Sequence, residues 1–104
     1  MCILCTDEKT TNDITELDVT GCKEVKEIPY LPKLKRLFCD NTQITEIPHL
    51  PKLKRLYCNN TQIKEIPQLP NLETLYCNNT QIKEIPYLIR LSVLDCENTL
   101  VAEI

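Results

Sequence analysis

Apolar and polar positions along the chain repeat with a period of 19 residues. Three near-copies occupy residues 28–46, 47–65 and 66–84, a divergent fourth occupies 85–104, and residues 14–27 form a partial copy ahead of them. A copy this short cannot bury its own apolar side chains, so neighbouring copies must stack to complete a core. The pattern therefore predicts a solenoid of about five coils.

Each copy predicts one short β-strand and an extended return. In the second copy the apolar Leu37 and Cys39 alternate with outward positions, and a period of two residues is typical of a strand with one buried face. The repeated segment Ile-Pro-x-Leu-Pro holds two prolines, which remove backbone donors and exclude an interior helix. Stacked coils are expected to pair their strands into one parallel sheet, with neighbouring strands about 4.8 Å apart.

The run LKRLFCDNTQI at residues 34–44 resembles the LxxLxLxxNxL pattern of the leucine-rich-repeat family, with Cys in the third apolar slot and Thr where Asn is usual. The run recurs at the same step in the later copies. The resemblance implies a leucine-rich-repeat solenoid over residues 14–104. Its parallel sheet would lie on the concave face and extended, polyproline or 3-10 backbone on the convex side, with few or no α-helices. We interpret residues 1–13 as an N-terminal capping segment or tail.

The short, helix-free copies also resemble the repeats of bacterial effectors and of giant DNA viruses, which implies a protein that acts in a host cytoplasm. Seven cysteines, an odd number, of which four recur at one step, fit reduced thiols better than a disulfide framework. The N-terminus lacks the basic start of a signal peptide, and no stretch approaches the roughly 20 apolar residues that span a membrane. We predict a cytoplasmic protein without a membrane partner.

A formal net charge of −3 argues against nucleic acid binding through bulk charge, so we expect a protein partner. The family resemblance implies that it binds on the concave face. The central column of that face holds three aromatic residues, which are favoured as rigid anchors or, alternatively, only support one another across strands. Beside them, six basic side chains form either a patch for an acidic partner or a solvated surface. These side chains are Lys33, Lys35, Arg36, Lys52, Lys54 and Arg55. The predicted partner-binding residues are Arg36, Phe38, Asp40, Arg55, Tyr57, Asn59, Tyr76 and Asn78.

The last copy carries apolar residues where the earlier copies carry polar ones; Leu100, for example, stands where Gln81 stands one copy before. This substitution predicts that the C-terminal coil packs against a second copy, giving a homodimer, or against a partner; the alternative is a fraying last coil. The leading hypothesis is a non-catalytic protein-protein interaction module. The alternatives are a structural protein that assembles through its solenoid ends and the recognition part of a larger effector system. The predicted self-association residues are Val93, Leu100, Ala102 and Ile104.

The cysteines offer the main candidate chemistry. The four that recur at one step are expected to form a buried structural column, since cysteine packs as a small hydrophobe. The spacing of Cys2-x-x-Cys5 is typical of a redox pair or of half a zinc site. Cys22 offers a third zinc ligand, but the sequence has no clear fourth one, because His49 lies two coils away. No nucleophile has an evident base, and no phosphate-binding loop is present. We therefore predict no enzyme activity, no cofactor and no metal. The recurring cysteines are Cys39, Cys58, Cys77 and Cys96.

Overall fold

The structure is a computed structural model that describes residues 13–100. Its elements are five short parallel strands that form one sheet in the order β1-β2-β3-β4-β5. Together they make a solenoid of about four turns, and residues 13–100 contain no α-helix. The leucine-rich-repeat fold predicted from the sequence is confirmed. The strands are β1 (Glu16–Asp18), β2 (Arg36–Phe38), β3 (Arg55–Tyr57), β4 (Thr74–Tyr76) and β5 (Val93–Asp95).

Each strand pairs with the equivalent strand of the next coil, so that like positions stand side by side. Leu37, at the centre of β2, pairs with Leu17 on one side and with Leu56 on the other. The shift along the chain is 20 residues from β1 to β2 and 19 residues between the equivalent side chains of β2 and β3. The extra residue that the first copy carries around Gly21 is therefore accommodated in the turn after β1, and the sheet stays in register.

Columns of identical side chains fill the interior of the solenoid. Leu31, Leu34, Leu37, Cys39 and Ile44 in the second coil are all fully buried, and their equivalents in the third and fourth coils are buried as well. A single coil has only one apolar side, so each of these side chains is covered by the coils before and after it. The core is thus one continuous stack, and it holds the outward strand positions in fixed order.

A tight turn introduces each strand, and a second turn follows it. Before β2, the amide of Leu34 donates a hydrogen bond to the carbonyl of Leu31 at 3.1 Å, and the same bond recurs in later coils. After β2, Asn41 adopts a φ of 58°, a left-handed conformation that favours Gly or Asn. Gly21, with a φ of 76°, occupies the equivalent place in the first coil. The positive-φ asparagines are Asn41, Asn60, Asn79 and Asn98.

The Asn and the Thr that follow each other in the turn after a strand make different hydrogen bonds. The buried Thr61 donates its hydroxyl to the carbonyl of Cys58 at 2.8 Å, a contact within one coil. One position earlier, Asn60 donates Nδ2 to Oδ1 of Asn41 at 2.9 Å and accepts Nδ2 of Asn79 at 2.8 Å. The asparagines therefore form an amide ladder between coils, and the threonines satisfy the backbone inside each coil.

Candidate partner-binding face

The outward side chains of the five strands form two parallel columns, which we call the strand face. One column consists of the first residue of each strand and the other of the third. Because the strands are in register, each side chain lies beside its equivalent one strand away, at about 4.8 Å. The first column is Glu16, Arg36, Arg55, Thr74 and Val93; the second is Asp18, Phe38, Tyr57, Tyr76 and Asp95.

Three aromatic rings stack in the centre of the second column. The ring centroids of Phe38 and Tyr57 lie 4.8 Å apart with an interplanar angle of 9°, and those of Tyr57 and Tyr76 lie 5.0 Å apart at 14°. These distances match the spacing of the strands, so the sheet register sets the stacking. Each ring is half-buried. Since both faces of Tyr57 are covered by its neighbours, the surface that a partner meets consists mainly of ring edges.

Arginine and lysine side chains line the strand face next to the rings, mainly in the second and third coils. Nη1 of Arg36 forms an ion pair with Oε1 of Glu16 at 3.0 Å, and Nζ of Lys33 pairs with Oδ1 of Asp13 at 3.2 Å. Arg55 forms no ion pair with any residue from 13 to 100. Two of the six positive side chains predicted for this patch are thus partly neutralised by the first coil, and the third coil keeps its charges.

The polar residues that follow the strands have a structural task that the sequence analysis missed. Oδ1 of Asp40 accepts the backbone amide of Asn59 at 2.7 Å, and Oδ1 of Asn59 accepts that of Asn78 at 2.8 Å. Oδ1 of Asn78 in turn accepts the amide of Glu97 at 2.6 Å. Asp or Asn recurs at this position every 19 residues, and this recurrence is the feature of the sequence that pointed to the ladder. Their role in partner binding stays a prediction.

The two predicted self-association residues that the structure describes, Val93 and Leu100, lie on different sides of the last coil. Val93 stands in the first column of the strand face and is 42% exposed, whereas Leu100 is 57% exposed beside a groove lined by Lys83, Glu84 and Pro86. Ala102 and Ile104 lie outside the described residues, and so do Cys2 and Cys5. Comparable grooves lie between the earlier coils and are lined by the recurring Glu-Ile-Pro segments. No residue pattern in the sequence predicted these grooves.

The cysteine column is structural in its central part. Cys39, Cys58 and Cys77 are fully buried, as predicted, whereas Cys96 in the last coil is only half-buried. Burial raises the pKa of the Cys58 thiol well above its ordinary value, and the neighbouring thiols and Asp40 raise it further. Burial, followed by the charges of Cys96 and Asp95, raises the pKa of Cys77 to about 12. These thiols stay protonated near neutral pH and are poor nucleophiles.

Within residues 13–100 no three His, Cys, Asp or Glu side chains are grouped so that they would hold a metal ion. The same residues include no helix of the length and apolar character needed to cross a bilayer. His49 is exposed on the return segment, away from the strand face.

Comparison with known families agrees with the geometry. A profile described as leucine-rich repeats in two copies matches residues 32–71 and again 51–90, which together cover more than half of the 104 residues. The chain belongs to the leucine-rich-repeat family. Proteins of this family are in general protein-protein interaction modules and not enzymes. A search of curated proteins found no match to the chain.

Proposed function

We propose that this protein is a non-catalytic interaction module that binds a protein partner on its strand face. The observation that carries the proposal is the stack of Phe38, Tyr57 and Tyr76, half-buried in the centre of a face whose opposite side is the core. Arg36 and Arg55 flank the stack on one side. On the other side the polar column of Asp40, Asn59 and Asn78 forms a rim, as expected around the centre of an interface.

The stacked rings favour binding because they are already ordered. A free aromatic side chain loses rotamer freedom when it enters an interface, at an estimated 0.5–1.5 kcal/mol for a mobile side chain. Tyr57 is held between two rings at 4.8 and 5.0 Å, so most of that loss has occurred on folding. Large aromatic side chains are also enriched among the residues that dominate binding energy. The same stack supports the sheet, so stability and binding must be measured separately.

A photo-crosslinking amino acid at position 57 tests the proposal. It is expected to form a covalent adduct with a specific protein in lysate, and the same group in place of Tyr87, which is 79% exposed outside the strand face, is expected not to. In parallel, Tyr57→Ala should abolish capture of that protein while Tyr87→Ala retains it. Circular dichroism of both variants checks that the solenoid is folded. Equal adducts from the two positions would contradict the proposal.

The exposed apolar residues of the last coil favour a second candidate, self-association. Ile89, Val93 and Leu100 are all more than one-third exposed. We propose that, if this candidate holds, the last coil packs against a second copy and gives a homodimer. The mass of the reduced protein by light scattering, across a concentration series, is then expected to double, and Leu100→Glu to restore the monomer. A monomeric mass at every concentration would dismiss this candidate.

We also propose that the protein acts in a cytoplasm, which would be that of a host cell if the likeness to effector and viral repeats reflects its origin. The support is that Cys39, Cys58, Cys77 and Cys96 are free thiols, as is usual in a reducing compartment. Fractionation of cells that express a tagged protein tests this, because recovery in a secreted or membrane fraction would refute it.

A further inference from the structure

Charges along the strand face are grouped by sign, with acidic residues in the first and last coils and basic residues between them. The first coil presents Glu16 and Asp18, the second and third present the basic pairs at 35–36 and 54–55, and the fifth presents Asp95. A solvated surface needs no such order, since mixed charges keep a protein soluble wherever they lie. The order places one positive zone beside the aromatic stack, with acidic residues at both ends of the column that holds the rings.

Arg55 has no compensating charge among its neighbours in the first column of the strand face. It pairs in register with Arg36 on one side and with Thr74 on the other, so one neighbour has the same charge and the other has none. Like charges directly opposite each other on paired strands are destabilising. Arg36 already has a carboxylate, that of Glu16 at 3.0 Å on its far side, and no residue from 13 to 100 supplies one to Arg55. Two guanidinium groups therefore lie side by side between β2 and β3, and only one of them is paired with a carboxylate of residues 13–100.

We propose, on the basis of the function proposed above, that the partner contributes an acidic protein segment to this place. A carboxylate of the segment binds between Arg36 and Arg55, and an apolar side chain next to it packs on the edges of Phe38 and Tyr57. The two contacts lie two residues apart along each strand, about 7 Å at the usual rise. That spacing suits an Asp or Glu one turn from an apolar residue on a helix, or two residues from it in an extended chain.

Two observations favour a protein segment over a nucleic acid. Single-stranded nucleic acids bind by stacking bases on exposed aromatic faces, whereas the rings of this protein stack on one another at interplanar angles of 9° and 14°. A phosphate backbone that continued along the column would also meet Asp18 and Asp95, at the two ends of the stack. A short protein segment with one or two carboxylates reaches the basic residues without meeting Asp18 or Asp95.

Fluorescence anisotropy with a synthetic probe tests the proposal. The probe is a fluorescein-labelled decapeptide of serine and glycine that carries two glutamates, each two residues from a leucine, and its control has glutamine in place of glutamate. We expect the acidic peptide to bind the wild-type chain and the glutamine peptide to bind at least tenfold more weakly. Arg55→Glu should weaken binding of the acidic peptide about tenfold, because it turns an attraction into a repulsion. Its new carboxylate lies beside Arg36, so the fold should be retained.

Lys64→Glu is the matched control, because it makes the same change of charge in the same coil but lies on the groove side. It is expected to leave affinity within about twofold. An equal loss of peptide affinity in both variants would mean that the total charge of the protein, and not a site at Arg55, binds the peptide, and it would overturn the proposal. Absence of binding to the wild-type chain would overturn it too. Tighter binding of a ten-nucleotide uridine RNA that is also lost in Arg55→Glu would overturn it in favour of a nucleic acid.

The two proposals fail in different ways. If the acidic peptide does not bind while a partner still crosslinks at position 57 and stays bound in high salt, the acidic segment is wrong and the strand-face function stands. If the peptide binds equally well to Tyr57→Ala and nothing crosslinks at position 57, the aromatic stack has no part in binding, and the proposed function is wrong as well.

Discussion

Replacement of Asn60 tests the amide ladder most directly. This side chain makes two hydrogen bonds, to Asn41 at 2.9 Å and to Asn79 at 2.8 Å, and its backbone has a φ of 58°. Asn60→Ala removes both bonds and places alanine, which has no polar side chain to favour the left-handed conformation, at a positive φ. Asn60→Gly removes the same bonds but adopts that conformation without strain. Comparison of the two variants separates hydrogen bonding from backbone conformation.

The expected changes follow from the structure. Two amide hydrogen bonds at an exposed site contribute about 0.5–1 kcal/mol each, so both variants lose about 1–2 kcal/mol of unfolding free energy. Alanine adds about 1–2 kcal/mol of left-handed strain, whereas glycine adds about 0.5–1 kcal/mol through the greater freedom of its unfolded chain. Asn60→Gly should therefore be more stable than Asn60→Ala by about 0.5–1 kcal/mol.

Urea unfolding followed by circular dichroism measures these differences. Gln62→Ala, an exposed change in the same coil, is the control and is expected to stay within about 0.5 kcal/mol of the wild-type chain. The reasoning would be refuted if Asn60→Ala were as stable as Asn60→Gly, because the positive φ would then carry no cost. It would also be refuted if both variants matched the control, because the ladder would then contribute nothing to stability.

Further predictions concern the buried groups. Thr61→Val should cost about 1–3 kcal/mol in urea unfolding, because the carbonyl of Cys58 loses its buried donor, and Thr61→Ser should recover most of it. Iodoacetamide at pH 8 should label Cys58 only after unfolding, as read by mass spectrometry; equal labelling of the folded chain would contradict its raised pKa. The raised pKa of Cys77 stabilises the fold fully below the ordinary thiol pKa of 9.0, and that stability is lost as the pH rises from there toward about 12. Urea unfolding above pH 9 should therefore show a shallower fall in Cys77→Ala than in the wild-type chain, and equal slopes would argue against this linkage.

The candidate site was predicted in outline and changed in detail. The sequence placed Phe38, Tyr57 and Tyr76 in one outward column, because the two-residue period of a strand and the repeat leave little choice. It did not reveal that the rings stack nearly parallel, which removes both faces of Tyr57, and one face each of Phe38 and Tyr76, from a partner. It also offered Asp40 and its equivalents only as polar contacts, whereas their oxygens accept backbone amides from the next coil.

The sequence by itself determined the coil, the strand and the core, since a 19-residue period with constant apolar positions is compatible with few other folds. Only the tertiary structure decided which polar groups meet. The pairing of Arg36 with Glu16 and the ladder of Asn41 and Asn60 join residues 20 and 19 positions apart, and both depend on the register between coils. The division between Asn60 and Thr61 depends on a single positive φ. Hydrophobic periodicity reports which side of the chain is buried, but it does not report the backbone dihedral that sends one neighbour outward and the next inward.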